Sequence, residues 1–280
     1  MRQMSHAGHE IFIVRTFILN IMHNTLNPQQ IQSFITDGFV RIDNAFSTDL
    51  ATEARDILWK DIPADPKDRK TWSKPVVWLG MYAEEPFIKA ANTPILHSAF
   101  DQLVGEGKWL PCMSMGAFPV RFPSETDAGD NGWHVDAGFP GDDPHDFFSY
   151  RINFHSKGRG LLMLFLFSDV TDEDAPTRII NGSHLHVAKL LQPKGEDGLS
   201  FMELANKLPD LSDREETLAI GKAGTVYLCH PFLVHAAQRH RGTVPKFMAQ
   251  PPLLLRGAFH VIGTETCSPV EEAIRNAIGT

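Results

Sequence analysis

Apolar positions in the first hundred residues recur at helical spacing, between residues that start and stop helices. Asn27-Pro28 has the form of an N-cap with proline at the first helical position, and Ile31, Phe34 and Ile35 follow on one face until Gly38. Phe39 to Ile42 alternates as a strand, and Ser47 opens a second helix carrying Leu50, Ala54, Ile57 and Leu58 on one side. Residues 61–74 are rich in Pro, Asp and Lys and predict an exposed loop. Extended structure is expected at Val76 to Leu79, then a helix over 93–104 behind the Asn92-Thr93 cap.

From about Leu110 the pattern changes to short apolar runs separated by Gly, Pro and Asp. They are Ala117 to Phe122, Trp133 to Ala137, Tyr150 to His155, Leu161 to Val170, Gly224 to Cys229, Leu233 to Ala237 and Lys246 to Leu255. Many short strands at this spacing predict a sandwich or barrel. A helical insertion is expected at roughly 183–218, and Ser268-Pro269 starts a C-terminal helix over about 269–279. The expected class is mainly β with flanking helices (α+β). Helices over about 27–105 pack on a double-sheet jelly roll over about 110–256, in one domain spanning 22–280. A separate helical domain before residue 105 is the alternative.

Composition narrows this only slightly. The chain of 280 residues is 42% hydrophobic and 21% charged, ordinary values for a globular protein. A net charge of -8 and a pI near 5.9 argue against a broad basic surface for nucleic acid. Cys112, Cys229 and Cys267 are far apart and odd in number, as expected of reduced thiols in a cytoplasmic protein. The longest apolar run, Ile11 to Met22, is broken by Arg15 and too short to cross a bilayer, so no membrane role is expected. Residues 1–21 are expected to be a dispensable extension, with Met22 just before the domain start.

The candidate chemistry centres on Trp133-His134-Val135-Asp136. On a strand, His134 and Asp136 project from the same side, so an imidazole nitrogen and a carboxylate oxygen converge on one point. His235, 99 residues on, is the preferred third ligand; His230 competes with it but differs by an odd number and faces the other way. Two histidines and a carboxylate on one face of an octahedral ion leave three positions open, as in non-haem Fe(II) oxygenases. The Trp133 ring is expected to shield the open side from water. If residues 235–246 form a hairpin centred between His240 and Arg241, Lys246 stands opposite His235. A cation there suits the far carboxylate of a dicarboxylate chelated to the metal; a solvated surface lysine is the bland alternative. Arg121, Arg151, Arg159 and Arg178 lie on or near expected strands, where any could point into the cavity toward an acidic substrate, but a surface or structural role is preferred for each; His184-x-His186, behind a helix cap, reads as structural or surface histidines.

Taken together, several stretches resemble the phytanoyl-CoA dioxygenase family. They are Asn27 to Lys60, Trp133 to Asp136, Leu161 to Asp169, Ala175 to His184 and Gly224 to His235. The resemblance implies a double-stranded β-helix of the cupin-like kind, with Fe(II) as cofactor and 2-oxoglutarate and O2 as cosubstrates. It matches His134, Asp136 and His235 to the iron ligands. The family usually carries an arginine eleven residues after the distal histidine to grip 2-oxoglutarate; here that position is Lys246, with nearby Arg241 as the other candidate. Lysine keeps the charge and loses the planar two-pronged grip. Halogenating relatives lack the carboxylate ligand, so Asp136 points to hydroxylation or another oxidation of a small organic substrate. Two readings stay open beside this one: a zinc hydrolase using the same three side chains, and a non-catalytic jelly-roll binding protein. The loop from Gly138 to Ser149, with Phe147 and Phe148, is expected to form a lid or an ordinary surface turn.

Overall fold

The computed structural model describes residues 25–263 and 266–279; the expected extension over residues 1–21 and the apolar run Ile11 to Met22 lie outside these residues. Helices form where the caps are. α1 (Pro28–Asp37) opens with reciprocal bonds between Asn27 and Gln30, and Gly38 closes it. β1 (Phe39–Ile42) and α2 (Thr48–Asp61) follow, then β2 (Val76–Leu79). Two helices come next, α3 (Glu85–Ala91) and α4 (Pro94–Val104). α3 is not among the helices expected from the sequence, being one short element of seven residues without a side-chain cap bond.

The β-rich part runs β3 (Phe118–Arg121), β4 (Arg151–Ile152), β5 (Leu161–Leu166) and β6 (Arg178–Ile180). After α5 (Ser183–Leu191) come β7 (Leu199–Ser200), α6 (Phe201–Ala205) and β8 (Glu216–Leu218). The chain continues through β9 (Val226–Cys229), β10 (His235–Ala236), β11 (Met248–Ala249) and β12 (Pro252–Leu253) to α7 (Pro269–Ile278). The expected insertion at 183–218 is therefore only partly helical. Gly195 and Gly198 both take positive φ after Pro193, which ends the helix, and the stretch returns to strand as β7, paired with β4, and β8, paired with β6.

Two antiparallel sheets face each other. The larger has the order β1-β9-β5-β11, with β12 also on β5; the smaller has the order β10-β6-β8. β5 lies between neighbours and is buried throughout, which is why its sequence is continuously apolar instead of alternating. Its even positions Leu162, Leu164 and Leu166 join Tyr227, Met248 and, from the smaller sheet, Ile179 in the layer between the sheets. Its odd positions Leu161, Met163 and Phe165 pack outward in a core that also contains Phe34, Leu58 and Phe100 from the helices. Each such side chain contributes about 1.5–3 kcal/mol by leaving water. Among the described residues no helix is long and apolar enough to cross a membrane.

Candidate metal centre

His134 and His235 sit directly opposite each other in an antiparallel bridge, exchanging both backbone hydrogen bonds at 3.0 Å. Opposed residues share a face, and the two imidazole centroids are 4.4 Å apart. Asp136, two residues beyond His134, returns to that face. Its Oδ1 lies 3.7 Å from Nε2 of both histidines. His235 is also opposite Ile179, a member of the inter-sheet layer, so this face looks into the jelly roll.

The imidazoles are oriented by their own backbone. Nδ1 of His134 faces the Gly132 carbonyl at 2.8 Å, and Nδ1 of His235 faces the Leu233 carbonyl at 3.1 Å. A nitrogen against a carbonyl must carry the proton, so each ring presents the Nε2 lone pair to the same point. Burial, then the neighbouring His134, pushes His235 down to about 4, so it is neutral at pH 7. Burial opposes ionisation of Asp136, but the charge of Arg159, followed by the two imidazoles, holds its carboxyl below the usual range. One ligand atom from each of the three residues lies within 4.8 Å of the others, and His235 Nε2 is buried without a hydrogen-bond partner. A buried orphan nitrogen beside a carboxylate and a second lone pair fits a divalent transition ion.

A family model described as phytanoyl-CoA dioxygenase (PhyH) matches residues 34–248, which include all three side chains. The chain belongs to the phytanoyl-CoA dioxygenase family. With the His-Asp-His group present, it is a non-haem iron- and 2-oxoglutarate-dependent oxygenase. No curated protein matches it by sequence. Among solved structures it is similar to the non-haem alpha-ketoglutarate-dependent carbocyclase SnoK from nogalamycin biosynthesis. The two are 19% identical over 82% of this chain and 84% of that one, with a TM-score of 0.57. The epimerase SnoN, in complex with Fe3+, alpha-ketoglutarate and nogalamycin RO, gives 16% identity, 79% and 80% coverage and a TM-score of 0.52. EctD from S. alaskensis gives 18%, 83% and 77%, and 0.50. At these identities the likeness is one of fold, that of the cupin-like oxygenases.

Around the dioxygenase's triad, three expectations need correction. The hairpin over 235–246 does not form. The Arg241 and Gly242 amides bond to the Glu173 carbonyl, and β10 pairs with β6 instead. Lys246 accordingly stands opposite Arg121, not His235, although Met248 two residues on faces the inter-sheet layer and so places Lys246 on the inner face. Arg241 is exposed and lines an outer cavity of about 480 Å³ with Glu125, Asp127 and Arg239, away from a cosubstrate grip. Trp133 alternates away from His134, and its ring lies under the Arg178 guanidinium at 4.3 Å, so it does not shield the triad.

Two arginines read from sequence as surface or structural groups are buried near this face. Arg121 is 4% exposed, bonds Asp130 and lies beside Lys246, which is itself 2% exposed. Burial, then Arg121, pulls the Lys246 amine well below its usual value; its Nζ donates to the Ala175 carbonyl. Arg159 stands 3.5 Å from Asp136. A cue existed for Arg121 in the apolar residues flanking it, Val120 and Phe122. Arg151 bonds carbonyls of Asp197 and Gly198, and Arg178 pairs with Glu216. His230 is buried with Nδ1 accepting from the Phe232 amide, and His184 faces the Ile35 carbonyl; neither belongs to the three-residue metal group.

Proposed function

We propose that the protein hydroxylates an unactivated C–H bond of a small organic molecule, with 2-oxoglutarate converted to succinate and CO2. His134 and His235 would each give Nε2 to Fe(II), and Asp136 would give Oδ1. Bound there, Fe(II) supplies the activation of O2 that no side chain provides. The observation that carries the reading is His235 Nε2, buried, unpartnered and aimed with two further donor atoms at one point.

Lys246 and Arg121 deepen it. Protonated beside a bound acid, the buried amine has three donors, and its bond to the Ala175 carbonyl leaves capacity for a carboxylate. An acid held there would regain the Coulomb energy that burial of the amine costs, so the inner face favours a dianion such as 2-oxoglutarate over the single water a zinc hydrolase needs. On the outer side of the site, Phe201 lies 5.5 Å from His134 between ring centroids, and Phe148 lies 5.9 Å from Phe201. These rings, on α6 and the Gly138–Ser149 loop, would exclude water and favour an apolar target carbon. The nogalamycin RO in the SnoN complex supports a small-molecule substrate. Free thiols at Cys112, Cys229 and Cys267 support a reducing compartment such as the cytoplasm.

The test is succinate release by the Fe(II)-loaded protein with candidate substrates, in air and without O2. Release only with O2 and 2-oxoglutarate supports the proposal. Substrate cleavage by the Zn(II) form, independent of both, would replace it with the hydrolase.

A further inference from the structure

Arg159 belongs to the turn that leads into β5. It is 7% exposed, its Nη2 donates to the Ala137 carbonyl at 3.1 Å, and its Nη1 stands 3.5 Å from Asp136 Oδ2. Nε and Nη1 have no hydrogen-bond partner. The turn is pressed against the residues after Asp136 by two glycines. A Cβ on Gly138 would lie 2.5 Å from the Lys157 carbonyl oxygen, and one on Gly158, whose φ is +83°, would lie 2.4 Å from that of Gly138. The turn is also closed on itself, with Ser156 Oγ donating to the Arg159 carbonyl at 2.7 Å and the Arg159 amide to that of Ser156 at 3.2 Å. Backbone contact, not a free side chain, therefore sets where the guanidinium stands.

We infer that Arg159 is a positioning residue: by holding Oδ2 of Asp136 it makes this carboxylate a one-oxygen ligand and keeps the metal's open positions open. The two oxygens of Asp136 have different neighbours. Oδ1 is the one 3.7 Å from both Nε2 atoms, while Oδ2 has the guanidinium. A carboxylate bound through both oxygens would occupy, with the histidines, four of six positions. Oδ2 would then contest a position that a chelating 2-oxoglutarate needs, and the affinity for 2-oxoglutarate would fall. With Oδ2 engaged elsewhere, three positions remain. Nη1 has a donor to spare and no other acceptor, so closing onto Oδ2 also satisfies a buried polar group.

This inference rests on the iron site proposed above, and the experiment separates the two. Wild type, Arg159→Gln, Arg159→Lys and Gly158→Ala are titrated anaerobically, first with Mn(II) followed by EPR, then with Fe(II) and 2-oxoglutarate followed by the charge-transfer absorbance of the chelate. Expected for Arg159→Gln is Mn(II) affinity close to wild type with 2-oxoglutarate affinity about 10- to 100-fold weaker. Arg159→Lys should recover part of the loss, and Gly158→Ala, which displaces the turn, should shift the same way. An Arg159→Gln titration identical to wild type overturns the role of Arg159 alone. So do equal losses of metal and 2-oxoglutarate, or failure of both Arg159 variants to fold with metal present. A wild type without any band overturns the iron site, and Arg159's role with it.

Discussion

Lys246→Met should have opposite effects on stability and on cosubstrate binding. Lys246 is 2% exposed on the inner face, beside a second cation, and its amine is pushed well below the normal value by burial. Its charged form is therefore costly unless an anion joins it. The nearby acids are engaged elsewhere: Asp130 bonds Arg121, and Asp174 accepts from the amide and hydroxyl of Thr171. Methionine fills a similar volume without the charge, which should stabilise the cosubstrate-free protein by about 1–3 kcal/mol. At roughly 2 °C per kcal/mol for a chain of this size, Tm rises by about 2–6 °C. Removing one partner of a buried charge pair costs about 2–5 kcal/mol, so 2-oxoglutarate binds about 30- to 5,000-fold more weakly. Calorimetric titration of the Mn(II) form gives the affinity, and thermal melts with and without 2-oxoglutarate give the stability. In wild type the cosubstrate raises Tm by mass action; in Lys246→Met at the same concentration that increment should vanish. A variant that melts lower than wild type yet binds 2-oxoglutarate equally well would refute the reasoning.

His134→Ala, Asp136→Ala and His235→Ala should each abolish stoichiometric Mn(II) binding by EPR, since each removes one of three donors; retained binding in any of them would remove that residue from the set. Acid should destabilise the fold through buried histidine. Burial, partly offset by the bond to the Ile35 carbonyl, pushes His184 down to about 4 against about 6.5 when unfolded. The unfolded chain thus binds the extra proton between these values. Stability is full above pH 6.5 and falls toward pH 4, by up to about 3 kcal/mol for this group, and denaturant melts across that range should show it. Phe148→Ala, opening the aromatic side of the site, should raise 2-oxoglutarate turnover uncoupled from product; unchanged coupling would count against a closing role for the loop.

Features fixed by local chemistry were legible in the sequence. Asn27, Ser47, Thr93 and Ser268 all cap helices where expected, because a cap is decided within four residues. The His-x-Asp pair was legible for the same reason: alternation along an extended segment needs no partner strand. His235 was reachable through parity against His230. What failed was pairing between distant strands. The 235–246 hairpin was the local solution, but β6 and the turn at Thr171–Ala175 supplied better partners, so Lys246 acquired Arg121 as neighbour. Burial of arginine was illegible for a related cause. Arg121 and Arg159 are held inside by Asp130 and Asp136, and neither pairing follows from the spacing of the residues.

The most direct measurement is an anaerobic titration of the protein with Fe(II) and 2-oxoglutarate, read as visible charge-transfer absorbance. The three-ligand iron site predicts one chelate per chain, forming only when both are present and lost in His235→Ala. A protein that binds one Fe(II) per chain yet develops no such absorbance at saturating 2-oxoglutarate, or a His235→Ala variant that develops it in full, would contradict it.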